Sequence, residues 1–125
     1  MENKKLEKLV LNKENNRICN ESFEEIYKGK HRIEEFVQND RYAVWQESFY
    51  CDDFWGTGRY LCETVYVLNK KNGEIKKLYE VESGEKDYKQ YLEKYIDSLG
   101  LKGNELTIGI HEYEGKWWEE KFKLE

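Results

Sequence analysis

Three runs rich in aromatic and β-branched residues constrain the fold more than any other feature of this chain. They are RYAVWQESFYC at 41–51, RYLCETVYVLN at 59–69 and EIKKLYEV at 74–81. Such residues favour β-strands, and the glycine-containing segments between the runs favour chain reversals. The second segment contains Asn72-Gly73, a pair typical of two-residue hairpins. We therefore predict a three-stranded antiparallel meander in the middle of the chain.

A second hairpin is predicted at the C-terminus, where ELTIGIHEY and KWWEEKFKLE flank a turn at Glu114-Gly115. A loop at residues 114–116 separates the apolar from the polar side chains, so we prefer that register. It pairs Leu106 with Leu124, Ile108 with Phe122, and His111 with Glu119. A histidine facing a glutamate in this way is more often a surface ion pair than a catalytic dyad.

One long amphipathic helix is predicted between the meander and the second hairpin, over about Gly84 to Leu99. Apolar residues recur there at three- and four-residue spacing, and charged residues fill the opposite face. The apolar face consists of Tyr88, Tyr91, Leu92, Tyr95, Ile96 and Leu99. Ser83 can cap the start of the helix, and Gly100 suits the left-handed residue that ends many helices.

The N-terminal forty residues are predicted to be partly helical. Asn20 can cap a short helix through NESFEEIYKG, and Gly29 can end it. The apolar side of this helix would consist of Phe23, Ile26 and Tyr27. The next segment, HRIEEFVQND, could extend the helix, whereas LEKLVLN and RIC fit either a helix or a small hairpin. We therefore expect a short helical N-terminal region.

The chain has the size of one domain, so we predict a single α+β domain over residues 1–125. Its antiparallel sheet, made of the meander and the C-terminal hairpin, is expected to pack against the long helix. Only 38% of the residues are hydrophobic and 38% are charged, but four Trp, ten Tyr and five Phe can form a core. We expect a folded protein with a polar surface and an aromatic core.

The charge balance favours a protein partner over nucleic acid or a membrane. Asp and Glu outnumber Lys and Arg by 26 to 21, and the formal charge of −5 repels phosphate backbones and anionic lipids. No apolar run approaches the roughly 20 residues of a spanning helix, and the N-terminus does not resemble a signal peptide. A cytoplasmic location is therefore predicted, and there the three cysteines are thiols by default.

The segment CDDFWGTGRYLC, from Cys51 to Cys62, could be an active site, a metal site or a turn. With a two-residue turn at Gly56-Thr57, hairpin symmetry would place the two cysteines directly opposite each other, as paired thiols or a disulfide. A wider loop over 52–58 would leave them at its base. The chain has no Cys-x-x-Cys pair for zinc, and neither histidine lies in a catalytic motif. We predict a hairpin end without a metal, a cofactor or a catalytic residue.

The same hairpin end has the composition of a protein interface, in which aromatic anchors have charged neighbours. The predicted protein-binding residues are Asp52, Asp53, Phe54, Trp55 and Arg59 here, and Trp117 on the C-terminal hairpin. We predict a non-enzymatic module that binds another protein with a basic surface. Small acidic inhibitors and immunity-type proteins of bacteria or phages, which block a nuclease or a defence-system enzyme, have this size and charge.

Two alternatives remain open. A curved sheet could form an aromatic-lined pocket for a small ligand or a substrate. The residues available for it are Tyr42, Trp45, Tyr66, Tyr79 and Trp118. Aromatic stacking of single-stranded nucleic acid would also need a positive groove. Acidic residues elsewhere offset the lysine-rich patch formed by Lys70, Lys71, Lys76 and Lys77. An enzyme is disfavoured because no acid, base or nucleophile stands at motif spacing.

Overall fold

A computed structural model describes residues 5–52, 59–84, 94–112 and 115–124, and these residues form β-strands without a helix. The strands are β1 (Leu9–Asn12), β2 (Arg17–Asn20), β3 (Glu25–Lys28), β4 (Arg32–Gln38), β5 (Tyr42–Asp52), β6 (Arg59–Asn69), β7 (Ile75–Gly84), β8 (Lys94–Lys102), β9 (Glu105–Glu112) and β10 (Trp117–Lys123). The predicted α+β class is therefore wrong, because the described part is all-β. It also contains no helix long and apolar enough to cross a membrane.

The strands form three antiparallel sheets, and each sheet contains strands that are consecutive in the sequence. Their orders are β1-β2-β3, β4-β5-β6-β7 and β8-β9-β10. Antiparallel neighbours need only short connections, which this chain supplies with polar and glycine-containing turns. Gly73 and Gly103 have φ angles of 76° and 59°, a region that glycine enters without steric cost. The predicted meander is confirmed as β5-β6-β7 within the four-stranded sheet.

This four-stranded sheet, the central sheet, is covered on both faces, so the protein has three layers. One face packs against the sheet of β8, β9 and β10 to form the C-terminal core. The buried residues of this core are Tyr42, Val44, Val65, Val67, Val81, Ile96, Leu99, Leu106, Ile108, Ile110 and Leu124. The other face packs against β1, β2 and β3 to form the N-terminal core. Its buried residues are Leu9, Ile18, Ile33, Ala43, Trp45 and Leu68.

The predicted long helix is wrong where it can be compared with the structure. Residues 94–99 lie in β8, which contacts all four strands of the central sheet and therefore runs across it. The ladder between β8 and β9 shifts register between Ile96 and Ser98. Because this bulge inserts one extra residue, Ile96 and Leu99 both face the C-terminal core although they are three residues apart. A bulged strand has thus produced the spacing of a helix. The rest of the predicted helix, residues 85–93, lies outside the described residues.

The predicted N-terminal helix is also wrong, because the region from 9 to 38 contains four strands. The Asn20 side chain does cap backbone amides, since its Oδ1 accepts hydrogen bonds from the amides of Ser22 and Glu24 at 3.0 and 2.9 Å. The amides belong to the turn between β2 and β3 and not to a helix. An asparagine that accepts from following amides is common to helix caps and to tight turns, so it does not distinguish them.

The C-terminal hairpin is present with a register different from the predicted one. Leu106 pairs with Phe122, and His111 pairs with Trp117. The amide of Glu112 donates to the carbonyl of Lys116 at 2.8 Å, so the ladder extends closer to the turn than predicted. The shift is two residues, which leaves every side chain on its predicted face. His111 therefore does not face Glu119 as predicted. It lies opposite Trp117 of β10 and Tyr95 of β8.

Candidate functional site

The predicted binding hairpin is formed by β5 and β6, and only its base lies within the described residues. Asp52 and Arg59 are the last described pair of the ladder, so the structure does bring these two residues together across the strands. The aromatic end of the hairpin lies outside the described residues, and it contains Asp53, Phe54 and Trp55. Their role in binding stays a prediction.

The two cysteines of this hairpin are not cross-strand partners. Cys62 pairs with Phe49, and Cys51 pairs with Tyr60. The predicted direct opposition of the cysteines is therefore wrong by two residues. The two turns considered from the sequence, Gly56-Thr57 and the wider loop over 52–58, fall almost entirely on residues 53–58, which lie outside the described residues.

Trp117, the remaining predicted binding residue, is half exposed on the outer face of the third sheet, with 53% of its surface accessible. It belongs to a row across three strands, in which Trp117 pairs with His111 and His111 pairs with Tyr95. The Tyr95 hydroxyl and His111 Nδ1 are 2.8 Å apart. The indole lies beside Gly109, where a Cβ atom would be 3.6 Å from its Nε1. The exposure fits the prediction for Trp117, and the binding role itself stays a prediction.

The aromatic residues considered for a ligand pocket do not converge. They are divided between the two faces of the central sheet. Tyr42, Tyr79 and Trp118 belong to the C-terminal core. Trp45 and Tyr66 belong to the N-terminal core, where their rings stack at a centroid distance of 6.0 Å. Since neighbouring residues on a strand point to opposite faces, the two groups cannot line one pocket. These five side chains therefore do not line one common pocket.

The most exposed large apolar side chain of the described chain is Phe23, in the turn between β2 and β3. Its accessible fraction is 90%, and its φ angle is 63°. The turn is built around Asn20, which is almost fully buried. Asn20 accepts at Oδ1 from the two turn amides, and its Nδ2 donates to Glu24 Oε1 at 2.8 Å. The amide of Phe23 donates to the Asn20 carbonyl at 3.1 Å. The turn is therefore well defined by hydrogen bonds that do not involve the aromatic ring.

The conformation of Phe23 is unfavourable for a bulky residue. A positive φ is uncommon for non-glycine residues, and such strained positions cost on the order of 1–3 kcal/mol. Strain of this kind clusters at functional sites, where the surrounding structure maintains it. Here the strained residue is also an aromatic side chain directed into solvent. This combination singles out the turn as the candidate site.

Phe23 borders an apolar groove of about 490 Å³ on the outer face of β1 and β2. Val10 and Cys19 are direct cross-strand partners on this face, and Val10 is 53% exposed. We call the surface formed by Val10, Cys19 and Phe23 the Phe23 patch. The exposed glutamates of the adjoining turn and of β3 lie around it, and they are Glu21, Glu24 and Glu25. An apolar centre with a charged rim is the usual construction of a protein interface.

Sequence reasoning missed this site because it assigned Phe23 to the apolar side of a helix. The available signal was the segment ESFEE, in which a single aromatic residue stands between acidic residues. On its N-terminal side the residue at i−3 is Asn20 and the residue at i−4 is Cys19, so a helical face is supported there by one small side chain. The exposure of the ring follows from the turn and could not be read from composition.

A buried carboxylate, Glu47, joins the N-terminal core to the segment that follows β3. Its Oε1 accepts hydrogen bonds from the amides of Lys30 and His31, both at 3.0 Å. Its Oε2 accepts from the Tyr27 hydroxyl and from Trp45 Nε1. Burial and the Glu47 carboxylate raise the pKa of the Tyr27 hydroxyl, which therefore remains a donor. Four donors satisfy this carboxylate, so we interpret it as structural.

A second buried carboxylate, Glu63, lies on the opposite face of the central sheet. Its Oε1 accepts a hydrogen bond from the Ile96 amide of β8 at 2.7 Å, and its Oε2 accepts from Gln46 Nε2. Desolvation by burial raises the pKa of Glu63 to about 7, and the charge of Glu34 adds to this effect. Gln46 Oε1 is buried without a hydrogen-bond partner among the described residues. With the side-chain amide of Gln46 rotated by about 180°, a protonated Glu63 donates to Gln46 Oε1. The raised pKa of Glu63 favours this protonated form.

Within the described residues, no group of three or more His, Cys, Asp and Glu side chains is arranged to hold a metal ion. No family model, curated protein or solved structure matches the chain. The proposed function therefore rests on the chemistry of the Phe23 patch.

Proposed function

We propose that this protein is a binding module that docks another protein through the Phe23 patch. The observation that carries the proposal is a phenylalanine that is 90% exposed and held at a φ of 63° by a hydrogen-bonded turn. Folding gains nothing from burying this ring, and the backbone conformation is costly. Aromatic anchors that enter a pocket of the partner dominate the energetics of many interfaces. A preformed turn also lowers the entropy lost on binding.

The charges around the patch favour a basic partner. Glu21 lines the groove, Glu24 and Glu25 follow Phe23 in the chain, and the cations on this face are Lys8, Arg17 and its cross-strand partner Lys28. Arg17 and Glu25 compensate each other, because the guanidinium is 3.6 Å from the carboxylate, so Glu21 and Glu24 are the acidic groups left beside the ring. The formal charge of −5 extends the same sign to the whole molecule. The complementary surface is an apolar socket surrounded by Lys and Arg.

This proposal keeps the class of function predicted from the sequence, a small acidic protein that binds and blocks a basic protein such as a nuclease or a defence-system enzyme. It adds a second contact surface to the predicted one. The hairpin end with Phe54 and Trp55 and the half-exposed Trp117 remain predicted contacts of their own. The Phe23 patch is the surface for which the described residues supply both an anchor and a charged rim.

Photo-cross-linking tests which surface docks the partner. A benzophenone amino acid is placed at position 23, and at position 102 as a control, since Lys102 is exposed on β8 in a different sheet. The protein that cross-links from position 23 is identified by mass spectrometry and purified. Its affinity is then measured by calorimetry for the native chain and for Phe23→Ala and Trp117→Ala.

The proposal predicts that Phe23→Ala weakens binding about 30-fold, the loss of about 2 kcal/mol that defines a hot spot. Binding should also weaken as salt concentration rises, because the acidic rim faces cations. Trp117→Ala should weaken binding less than Phe23→Ala, because Trp117 is a predicted contact on a separate surface. Equal cross-linking from both positions, or unchanged affinity of Phe23→Ala, would show that the Phe23 patch does not dock the partner.

A further inference from the structure

A polar groove of about 690 Å³ lies where three chain segments meet beside the central sheet. It is lined by residues 5–7 before β1, 40–42 at the turn between β4 and β5, and 69–72 at the turn between β6 and β7. Its volume is within the range of pockets that hold small ligands. The groove shares no residue with the Phe23 patch, so a ligand bound in it would be separate from the proposed protein partner.

The groove is positive although the protein is acidic. Four of its lining residues are cationic, namely Lys5, Arg41, Lys70 and Lys71, and two are carboxylates, namely Glu7 and Asp40. The local balance is therefore +2, against −5 for the whole chain. A concave surface with an excess of one charge raises the local concentration of ions of the opposite charge.

Lys70 has the most restricted position of these cations. Its Nζ donates to the Glu7 carbonyl and to Gln38 Oε1, both at 2.8 Å, so it ties the N-terminal segment to β4. Both acceptors are neutral, and an ammonium group has three donors. Burial lowers the pKa of Lys70, and the charge of Asp40 opposes this shift. A partly desolvated ammonium without a directly bonded carboxylate gains from an anion placed beside it.

Arg41 is held next to Lys70 by the backbone. The Lys70 amide donates to the Arg41 carbonyl at 2.9 Å, so the two turns are directly hydrogen-bonded. Asn39 Oδ1 accepts from the amides of Arg41 and Tyr42 at 2.9 and 3.0 Å and fixes the first turn. The Arg41 guanidinium lies 5.4 Å from the centre of the Tyr42 ring. Hydrogen bonds thus fix the backbone of both turns from which Arg41, Lys70 and Lys71 extend.

The other two lysines of the lysine-rich patch differ from these. Lys76 is 3.3 Å from the Glu74 carboxylate, and Lys77 is 3.2 Å from that of Glu80. Their charges are therefore compensated by neighbours on the same turn or strand. The structure divides a cluster that looks uniform in the sequence into a compensated pair on β7 and a pair that lines the groove.

We propose that this groove binds a small molecule carrying a phosphate or diphosphate group, with Arg41, Lys70 and Lys71 as the phosphate-binding residues. Phosphate suits this set because the planar guanidinium forms two parallel hydrogen bonds with it and the ammonium groups add point charges. A nucleic-acid strand is a poorer ligand, since it would extend past the groove onto an acidic surface. Lys5 lies at the N-terminal wall and adds charge without defining geometry.

Calorimetric titration of the full chain tests the groove with three probes: inorganic phosphate, pyrophosphate and ADP. Saturable binding of pyrophosphate and ADP at a ratio of one is expected, with phosphate binding more weakly. If ADP binds more tightly than pyrophosphate, the ligand is a nucleotide whose base contacts the groove. If the two bind equally, the site recognises the phosphates alone. Absence of saturable binding by all three probes at millimolar concentration would overturn the proposal.

Substitutions in the groove should both weaken and strengthen pyrophosphate binding, depending on the charge that is removed. Arg41→Gln and Lys71→Gln should each weaken pyrophosphate binding about tenfold, since each removes a charge-assisted hydrogen bond. Asp40→Asn should strengthen it, because a carboxylate is removed from the rim. Lys28→Gln, which removes an exposed lysine from β3 outside the groove, should have no effect. General damage to the fold cannot produce a gain and a loss at neighbouring positions. The same affinity in all four variants would show that binding occurs elsewhere.

Discussion

Two non-glycine residues of the described chain, Asn16 and Phe23, have a positive φ, and they are compensated differently. The Asn16 side chain donates to the His31 carbonyl at 2.7 Å and accepts from the Ile33 amide at 2.8 Å, so it connects the first turn to β4. The Phe23 ring is 90% exposed and has almost no contact that could compensate its backbone. The first conformation serves the fold, and the second is the observation on which the proposed docking surface rests.

Replacing Phe23 with glycine should make the protein more stable. Glycine adopts a positive φ without the steric cost that a side chain meets, so Phe23→Gly should raise the free energy of unfolding by about 1 kcal/mol. Urea denaturation with an unchanged m-value measures this. Ser22→Gly, one residue earlier and without a positive φ, should destabilise the protein slightly. A loss of stability in Phe23→Gly equal to that of Ser22→Gly would mean that the turn is not strained. The same variant should lose the partner.

At the scale of the elements, the bulge in β8 decides the conformation of the segment that looks helical in the sequence. The extra residue turns the two-residue period of a strand into a three-residue spacing at one place. Close packing next to the bulge holds it, since Ser98 pairs with Gly109 of β9. A Cβ atom at Gly109 would overlap Ser98 Oγ. A side chain at position 109 therefore requires the Ser98 hydroxyl to move, whereas the remaining neighbours are at ordinary contact distances.

Gly109→Ala should destabilise the protein by about 1–2 kcal/mol, because the new methyl group must displace the serine hydroxyl. Ser98→Ala removes that hydroxyl and leaves the Ser98 Cβ at 3.7 Å, an ordinary contact. The double variant should therefore recover most of the loss, which chemical denaturation of both single variants and the double variant measures. Gly100→Ala is the control, since nothing lies within 4 Å of its Cβ position. Additive losses in the double variant would rule out this contact as the cause.

At the scale of the whole molecule, the central sheet joins two cores, and each interface contains one buried carboxylate. Glu47 is satisfied by four donors on the face toward β1, β2 and β3. Glu63 faces β8 with two donors and a raised pKa of about 7. Glu47 and Glu63 are both almost fully buried, at 2% and 4% exposure. They therefore differ in the number of hydrogen-bond donors and not in the depth of burial. This difference sets how stability depends on pH.

Stability should fall as pH rises from about 4.5 to about 7. The pKa of Glu63 in the folded state lies above its ordinary value of 4.5, so the folded state binds the proton more tightly. The stabilisation present at low pH is therefore lost as pH rises through about 7. Glu63→Gln should remove this dependence and raise stability at pH 8 by on the order of 2 kcal/mol. Its amide can also donate to Gln46 Oε1. Denaturation curves at several pH values measure the effect.

Glu47→Gln is the matched control for that prediction. An amide places two N–H groups where Glu47 accepts only, so one pair of donors loses its acceptor. We expect a loss of about 2 kcal/mol at pH 8, where Glu63→Gln should gain. The same sign of change in both variants would contradict the different roles assigned to the two carboxylates.

The sequence predicted the local reversals well and the environment of each element poorly. The meander and the C-terminal hairpin follow from strand-forming runs and turn residues such as Asn72-Gly73, which act over a few residues. Asn20 was recognised as a cap, but the element that it caps was mistaken, because the same hydrogen bonds occur in helices and turns. Gly103-Asn104, the turn between β8 and β9, was missed because the segment before it resembled a helix.

What the sequence determined by itself is the reversal at Asn72-Gly73 and the presence of a hairpin at the C-terminus, since turn geometry depends on backbone sterics within a few residues. The tertiary structure alone decided that Ile96 and Leu99 lie on a bulged strand, that Trp45 and Tyr42 enter different cores, and that Phe23 remains in solvent. Each of these depends on a surface contributed by a strand distant in the sequence. Burial is a property of the assembled layers, and a one-residue bulge is enough to change which face a residue occupies.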